Sequence, residues 1–413
     1  MTKTTTHSKT KKQLVPELRF KEFDIEWEKM KLIEVSDKIQ DGTHFSPQLV
    51  EDGNYKYITS KNIRNGYMEL SDIAYVSDEA HSDIYKRCNV QLNDILLTKD
   101  GSATGTVCLN TLDEEFSLLS SVAFIRANKS FATNEFIYQC ISGPMGQREI
   151  LASIAGQAIT RITLTKLRNF KFSYPSLPEQ KKIASFLSAI DQKIQQLTKK
   201  KTLLEQYKKG VMQQLFSGEL RFKDEDEGDY PEWEEKMLGD VGKIKMCKRI
   251  FSHQTSEIGE IPFYKIGTFG KVADAFIPKE LFLEFKEKYS YPKTGEILMS
   301  ASGTLGRTVI YDGSESYFQD SNIVWIENNE KLITNAFLFY VYQIVRYESE
   351  GGTIQRLYNS IISSAKFLMP TDIEEQSKVT YLLSNIDTKI ENTSNQITQT
   401  QTFKRGLLQK MFV

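Results

Sequence analysis

Two short runs in this sequence combine glycine with hydroxyls: TKDGSATG, from Thr98 to Gly105, and SASGTLGR, from Ser300 to Arg307. Lys99, Ser102 and Thr104 in the first, and Ser300, Ser302 and Thr304 in the second, can form hydrogen bonds or pair with an anion. Glycine lets the backbone come close to whatever they hold. A plain hairpin turn would carry the same composition. A second pair of runs adds cations and amides: GQAITR offers Gln157, Thr160 and Arg161, and GTIQR offers Gln355 and Arg356. A third is looser. TSKNIRNG supplies Thr59, Ser60, Lys61 and Asn62, and KIGTFGK supplies Lys265, Thr268 and Lys271, although these could equally be solvated strand ends. The chemistry on offer is binding. Cys88, Cys108, Cys140 and Cys247, like His7, His44, His81 and His253, are scattered without the spacing of a metal knuckle or a redox pair. The chain carries no NPPY or DPPY run, no G-x-x-x-x-G-K-[ST] phosphate loop and no nucleophile elbow.

The runs come in pairs because the chain repeats itself, and a repeat dictates architecture. PELRFKEF (Pro16 to Phe23) returns as GELRFKDE (Gly218 to Glu225), EWEKMKLIEV (Glu26 to Val35) as EWEEKMLGDV (Glu232 to Val241), and NDILLTKDGSATGTV (Asn93 to Val107) as GEILMSASGTLGRTV (Gly295 to Val309). Trp27 and Trp233 open the two copies and read as packing anchors. Between these anchors the copies diverge, so a shared frame carries two different interiors. YKYITS, DILLTK, SSVAFIRA, EILMSA and SNIVWIE read as strands, and NEFIYQCISG and NAFLFYVYQIV as helices started by their asparagines. Each copy is expected to be an α+β unit around a curved antiparallel sheet.

The clearest repeat is a phrase. EQKKIASFLSAIDQKI (Glu179 to Ile194) returns as EQSKVTYLLSNIDTKI (Glu375 to Ile390), a constant step of 196 residues held to Phe216 and Phe412. In the first copy Ile183, Leu187, Ile190, Ile194, Leu197, Leu204, Val211 and Leu215 fall at alternating steps of four and three, with Lys201 and Lys208 filling the gaps. The second copy gives Val379, Leu383, Ile386, Ile390, Thr393, Ile397, Thr400, Lys404, Leu407 and Met411. This heptad seam predicts two long helices, each roughly 55 Å, that pair with each other. From periodicity alone the pair could run parallel or antiparallel, or each helix could pack on its own domain.

Composition bounds the rest. The 413 residues are 40% hydrophobic and 26% charged, which suits two to four soluble domains. The longest apolar run, from Ala336 to Val345, is far below the roughly 18 residues of a membrane span. The first thirteen residues are polar and basic and read as a disordered tail rather than a secretory signal. Reduced thiols and a cytoplasmic location are the default. A net charge of −1 argues against a bulk polyanion binder but leaves room for local patches. Lys223 to Glu235 is acidic and reads as a linker. Lys199, Lys200, Lys201, Lys208 and Lys209 make a basic helix face that could follow phosphates, dock a partner or face solvent.

The paired LPEQKKIASFLSAID and IEEQSKVTYLLSNID helices, the ELRF…EW openings and the paired strand-then-glycine loops together make the chain resemble the specificity subunit of a type I restriction–modification enzyme. The resemblance runs from about Val15 onward. It departs at Asn93, where the family has Gly before DIL, and at the second helix, which has EEQ for PEQ. It implies an α+β chain with a pseudo-twofold internal repeat. Two globular α/β target-recognition domains (14–175 and 218–370) would follow the tail (1–13), joined by helices (176–217 and 371–413) that form an intramolecular antiparallel coiled coil. Each domain would read half of a bipartite double-stranded DNA site, with the polar residues named above as its contacts. The seam through Ile183, Leu187, Ile190, Ile194, Leu197, Leu204 and Leu383 would set the spacer. Two modification subunits would dock there, joined in some complexes by two restriction subunits. S-adenosylmethionine, ATP and magnesium would belong to those partners, and this chain would bind no cofactor and catalyse nothing. A coiled-coil scaffold that binds only protein is the rival reading.

Overall fold

A computed structural model of the chain describes residues 14–156, 160–347 and 356–413. The tail at 1–13, Gln157 and Gln355 lie outside them. The chain divides into two compact units, Met1–Lys200 with Thr393–Val413, and Lys201–Asn392. The division falls in the middle of the two long helices, so each unit owns half of each.

In the first unit the main sheet is antiparallel, in the order Ser36–Asp41, Val122–Ala127, Ile95–Thr98, Val107–Leu109. Side chains alternate across a sheet, and here both faces are covered. Ile95, Leu97, Ala123 and Ile125 enter a core with the helices, while Leu96, Val122 and Phe124 enter a second core under a small sheet. The second unit repeats the plan. Its main sheet runs Gly242–Lys245, Ile323–Asn328, Ile297–Ser300, Thr308–Ile310. Ile297, Met299, Val324 and Ile326 face the helices, and Leu298, Ile323 and Trp325 face the other core. The five expected strands are all present. The small sheets were not anticipated. Each holds a parallel pair, Ser117–Leu118 beside Tyr55–Ile58 and Tyr317–Phe318 beside Ile261–Tyr264; of these only Tyr55–Ile58 was expected as a strand, and its two-residue partner is too short to show a pattern.

Two other expectations are corrected. Helices Asn134–Ser142 and Asn335–Ile344 are started by threonine, not asparagine: Thr133 Oγ1 accepts from Phe136 N–H (3.2 Å) and Thr334 Oγ1 from Phe337 N–H (3.1 Å). The acidic segment is not a loose linker. Asp224 Oδ1 accepts from the N–H groups of Asp226 and Gly228 in a closed turn, and Tyr230 is buried.

The long helices span Leu177–Phe216 and Ile373–Met411, each about 60 Å. They run antiparallel. In the first unit Ile183 and Leu187, early in the central helix, share a core with Leu407 and Met411, late in the C-terminal helix. In the second, late Val211 and Leu215 pack with early Val379 and Leu383. The seam lysines have partners: Lys404 Nζ lies 2.6 Å from Asp191 Oδ1, and Lys208 Nζ lies 2.7 Å from Asp387 Oδ1. One 196-residue step relates the two pairs.

The repeated Glu-Gln fixes each helix to its own unit. Glu179 accepts two bonds of 2.8 Å from the Arg19 guanidinium, and Glu375 accepts from Arg221 at 3.0 and 3.2 Å. Gln180 donates to Phe131 O and Pro175 O and accepts from Thr133 N–H; Gln376 does the same with Leu332, Pro370 and Thr334. The arginine of ELRF thus clasps the glutamate that opens each long helix, while the glutamine reads the cap of the short helix.

Candidate nucleic-acid interface

The first Gly-rich loop leaves the C-terminal end of Ile95–Thr98, an inner strand of the main sheet. Gly101 and Gly105 adopt φ of +88° and +96°, which a side chain would strain. The loop is tied to the GQAITR segment. Gly101 N–H donates to Thr160 O (3.0 Å), Thr160 Oγ1 donates to Gly101 O (2.8 Å), and Ile162 N–H donates to Lys99 O (2.8 Å). Arg161 Nε stands 3.1 Å from Asp100 Oδ1. The second unit repeats the arrangement: Ser302 bridges Arg356, and Leu357 N–H donates to Ala301 O (2.8 Å). Two runs that are 60 residues or so apart in sequence form one rim in each unit.

The third pair of runs is held differently. KIGTFGK meets its rim, because Arg307 Nη1 donates to Phe269 O (3.0 Å). TSKN closes on itself as a turn: Thr59 N–H donates to Asn62 Oδ1 (3.0 Å), Asn62 Nδ2 donates to Glu69 O and Asp72 O, and Lys61 pairs with Asp72.

Not every candidate faces out. Lys99 is 1% exposed, with its ammonium 3.0 Å from Asp100 and 3.5 Å from Asp41. Ser300 is buried and donates to Thr304 O, and Asn62 is buried in its turn. All three support the rim from beneath. Ser102, Thr160, Arg161 and Lys61 are exposed in the first unit, as are Thr304 and Lys271 in the second. Thr59, Ser60, Thr104, Lys265, Thr268, Ser302 and Arg356 are partly exposed.

The rims share a frame and differ in charge. Asp41, Lys99, Asp100 and Arg161 form a chain of opposite charges in the first unit. At the matching places the second has Ala301 and Ser302, with Ser302 Oγ donating to Asn322 Oδ1 (2.8 Å). Two further cations were missed. Arg87 is half-exposed, held by Asp41 Oδ1 at 2.8 Å, and Arg249 is exposed, held by Asp320 Oδ2 at 2.9 Å. The KR pair at 248–249 was a visible local signal for the second; Arg87, at the end of an ordinary amphipathic helix, gave none.

Burial pushes the thiols of Cys88, Cys108 and Cys247 up to about 12, so they stay protonated near neutrality. Among the described residues no helix is long and apolar enough to cross a membrane.

Comparison with known proteins identifies the family and the repeat. The model of the type I restriction modification DNA specificity domain matches residues 24–206 and 230–400, one match for each copy of the repeat. A Haemophilus influenzae chain named as a type I restriction enzyme specificity subunit is 35% identical over 367 residues, covering 84% of this chain and 83% of its own. A Methanocaldococcus jannaschii chain named as the MjaX specificity subunit is 25% identical and covers 96% of both. Among solved structures, the type I restriction–modification S subunit of M. genitalium superposes with a TM-score of 0.62 at 18% identity, covering 97% of this chain and 99% of that one.

Proposed function

The chain belongs to the type I restriction modification DNA specificity family, and from that premise we propose that each unit reads one half of a split double-stranded DNA site. The observation that carries this is the repeated rim. A Gly-rich loop bridged to an arginine segment follows the same inner strand of the main sheet in both units, with different side chains in each. Base edges are read by such polar groups, and phosphates are held by arginine, hydroxyls and backbone amides. Arg161 and Arg356 hold the same repeat position, so they are assigned to phosphates. Ser102, Thr104, Ser302 and Thr304 are assigned to the groove, and buried Lys99, Ser300 and Asn62 to shaping it. Gln157 and Gln355 remain candidates for base edges.

The chain itself is assigned no catalysis. Adenine methylation with S-adenosylmethionine would reside in two modification subunits, and ATP- and magnesium-dependent cleavage in restriction subunits, all in the cytoplasm. The docking place assigned to the modification subunits is the helix pair. Tyr207 and Phe403, related by the 196-residue step, are 56% and 57% exposed. The residues that follow each along its helix line an open cleft, one of about 510 Å³ with Lys208, Lys209 and Met212, the other of about 610 Å³ with the matching Lys404, Arg405 and Leu408. The same surface presented twice fits two copies of one partner.

The test is an exchange. Replacing the region from about Trp27 to Tyr174 with the corresponding part of a relative, in cells that also make the modification partner, should change one half of the methylated motif and leave the other. A change in both halves, or in the unread gap alone, would overturn the assignment. A protein-only scaffold would give no sequence-specific methylation at all.

A further inference from the structure

The stretch after the first main-sheet strand is where the two copies differ most, yet both keep F-S-x-Q there: Phe45-Ser46-Pro47-Gln48 and Phe251-Ser252-His253-Gln254. An aromatic ring retained through such divergence would ordinarily be explained by packing. Burial in a core does not explain these, although the Phe251 ring stacks on His253 of its own loop at 5.9 Å. Phe45 is 53% exposed and Phe251 54% exposed, and neither belongs to any of the buried cores.

Their surroundings match as well. The Phe45 loop is stitched to the rim: Thr43 N–H donates to Leu118 O, Ser120 N–H to Thr43 O, and Lys99 N–H to Ser121 O. The Phe251 loop reaches its rim through Arg249 and Asp320. From that turn Ser321 O accepts from Arg356, and Asn322 joins Ser302 and Ala301. Each loop also holds a carboxylate-bound guanidinium at a point a few residues from the ring along the chain. Arg87 donates to Asp41 Oδ1 and to Gly42 O, three residues before Phe45, and Arg249 lies two residues before Phe251. An exposed ring on a loop that also holds an anchored cation, next to the rim assigned to DNA, fits a nucleic-acid groove better than open water, because apolar side chains wedge between base steps while arginines hold the flanking phosphates.

Resting on the DNA-reading assignment above, we propose that Phe45 and Phe251 are wedge residues, each entering a base step at its half-site while Arg87 and Arg249 hold the adjacent backbone. Identity at both positions explains why they are shared: the half-sites differ in sequence, but the base to be modified must leave the stack at each, and unstacking beside it lowers that cost.

The experiment uses the full chain assembled with its modification subunits and DNA bearing its methylated motif, with 2-aminopurine placed in turn at each step of one half-site. Phe45→Ala should weaken binding on the order of 10-fold, as expected for loss of one stacking contact, and abolish the fluorescence rise at one step in one half-site only. Phe251→Ala should do so in the other half, and Phe→Trp at either position should restore both signals. Both rings are exposed, so the alanine variants should fold. Unchanged affinity and fluorescence in the alanine variants would overturn the wedge. So would loss of the modification subunits from the purified complex, which would make the rings protein contacts. If the unaltered complex shows no site-specific binding, the DNA-reading assignment itself fails and takes the wedge with it.

Discussion

Glu179 shows how far a single residue's role can lie from its own stretch of sequence. The repeated Glu-Gln was visible, but its meaning depends on Arg19, 160 residues away, so no local pattern could give it. The carboxylate is 1% exposed and accepts from both the arginine and Trp27 Nε1 (3.3 Å). The bond to Glu179, more than any other influence, raises the arginine above its ordinary value. That stabilisation is complete below the unfolded arginine's pKa and is lost only as pH rises beyond the folded one, so the arginine stays charged at any ordinary pH. Breaking a buried pair leaves a buried charge alone. Glu179→Ala should therefore cost the first unit about 3–5 kcal/mol, and Glu375→Ala should do the same for the second, read by urea denaturation. Lys99 misled for the same reason: its partner Asp41 lies in another strand, and a lysine in a glycine loop looks exposed until that strand is placed. The pKa of Glu296 is also raised, but there it is the charged form that the fold disfavours. At the matching place Asp94 is held by Arg126 at 2.7 and 3.0 Å, but Glu296 is buried and accepts from the Lys293 N–H (2.7 Å), with the charges of Lys293 and Glu327 acting on it in opposite senses. Burial above all raises its pKa, so the native state binds the proton more readily than the unfolded chain. The second unit should gain stability as pH falls from neutrality through that raised value. Thermal melts across the range should show the gain, and Glu296→Gln should flatten it.

Elements were more legible than their edges. Heptad spacing located both long helices, and β-rich apolar runs located the central strands, because each pattern repeats over enough residues to be counted. Caps depend on one side chain, which is how adjacent threonine and asparagine were confused at 133–134 and 334–335. The seam also held more information than apolarity. Lys208 and Lys404 looked like flaws in it, but each faces the aspartate of the other helix, and each aspartate is bonded from its own unit, Asp191 by Gln139 Nε2 (3.0 Å) and Asp387 by Tyr340 Oη (2.9 Å). Charges at a seam fix register and direction, since only one alignment pairs both. Asp191→Lys alone should destabilise the first unit by on the order of 2 kcal/mol, and adding Lys404→Asp should recover most of it, as contacting residues are coupled. A thermal melt of the two single variants and the double variant measures this. Additive losses would mean that the pair does not hold the register.

At the scale of the whole molecule the two helices are continuous elements that pass through both compact units. If each unit reads a half-site, the length of these helices should govern the gap left unread. Half-sites approached from one face of a duplex want centres about one helical turn apart, roughly 34–36 Å, which is within reach of helices about 60 Å long. Adding one heptad to both keeps the seam in phase. The antiparallel pairing of Asp191 with Lys404 fixes where the additions must lie to face each other: after Leu197 in the central helix, and after Ile397 in the C-terminal one. Each helix then grows by about 10 Å, or about three base pairs at 3.4 Å each. The same step turns one half-site about 100° around the duplex relative to the other, so activity should fall unless the units adjust. Sequencing the methylated sites of cells carrying the lengthened chain and its partners should return both original half-sites with roughly two to four more unread base pairs between them. A single heptad added to the central helix alone should instead break the pairing of Lys208 with Asp387 or of Lys404 with Asp191 and abolish methylation. Full activity at the original spacing in the doubly lengthened chain would show that something other than the helix pair measures the gap.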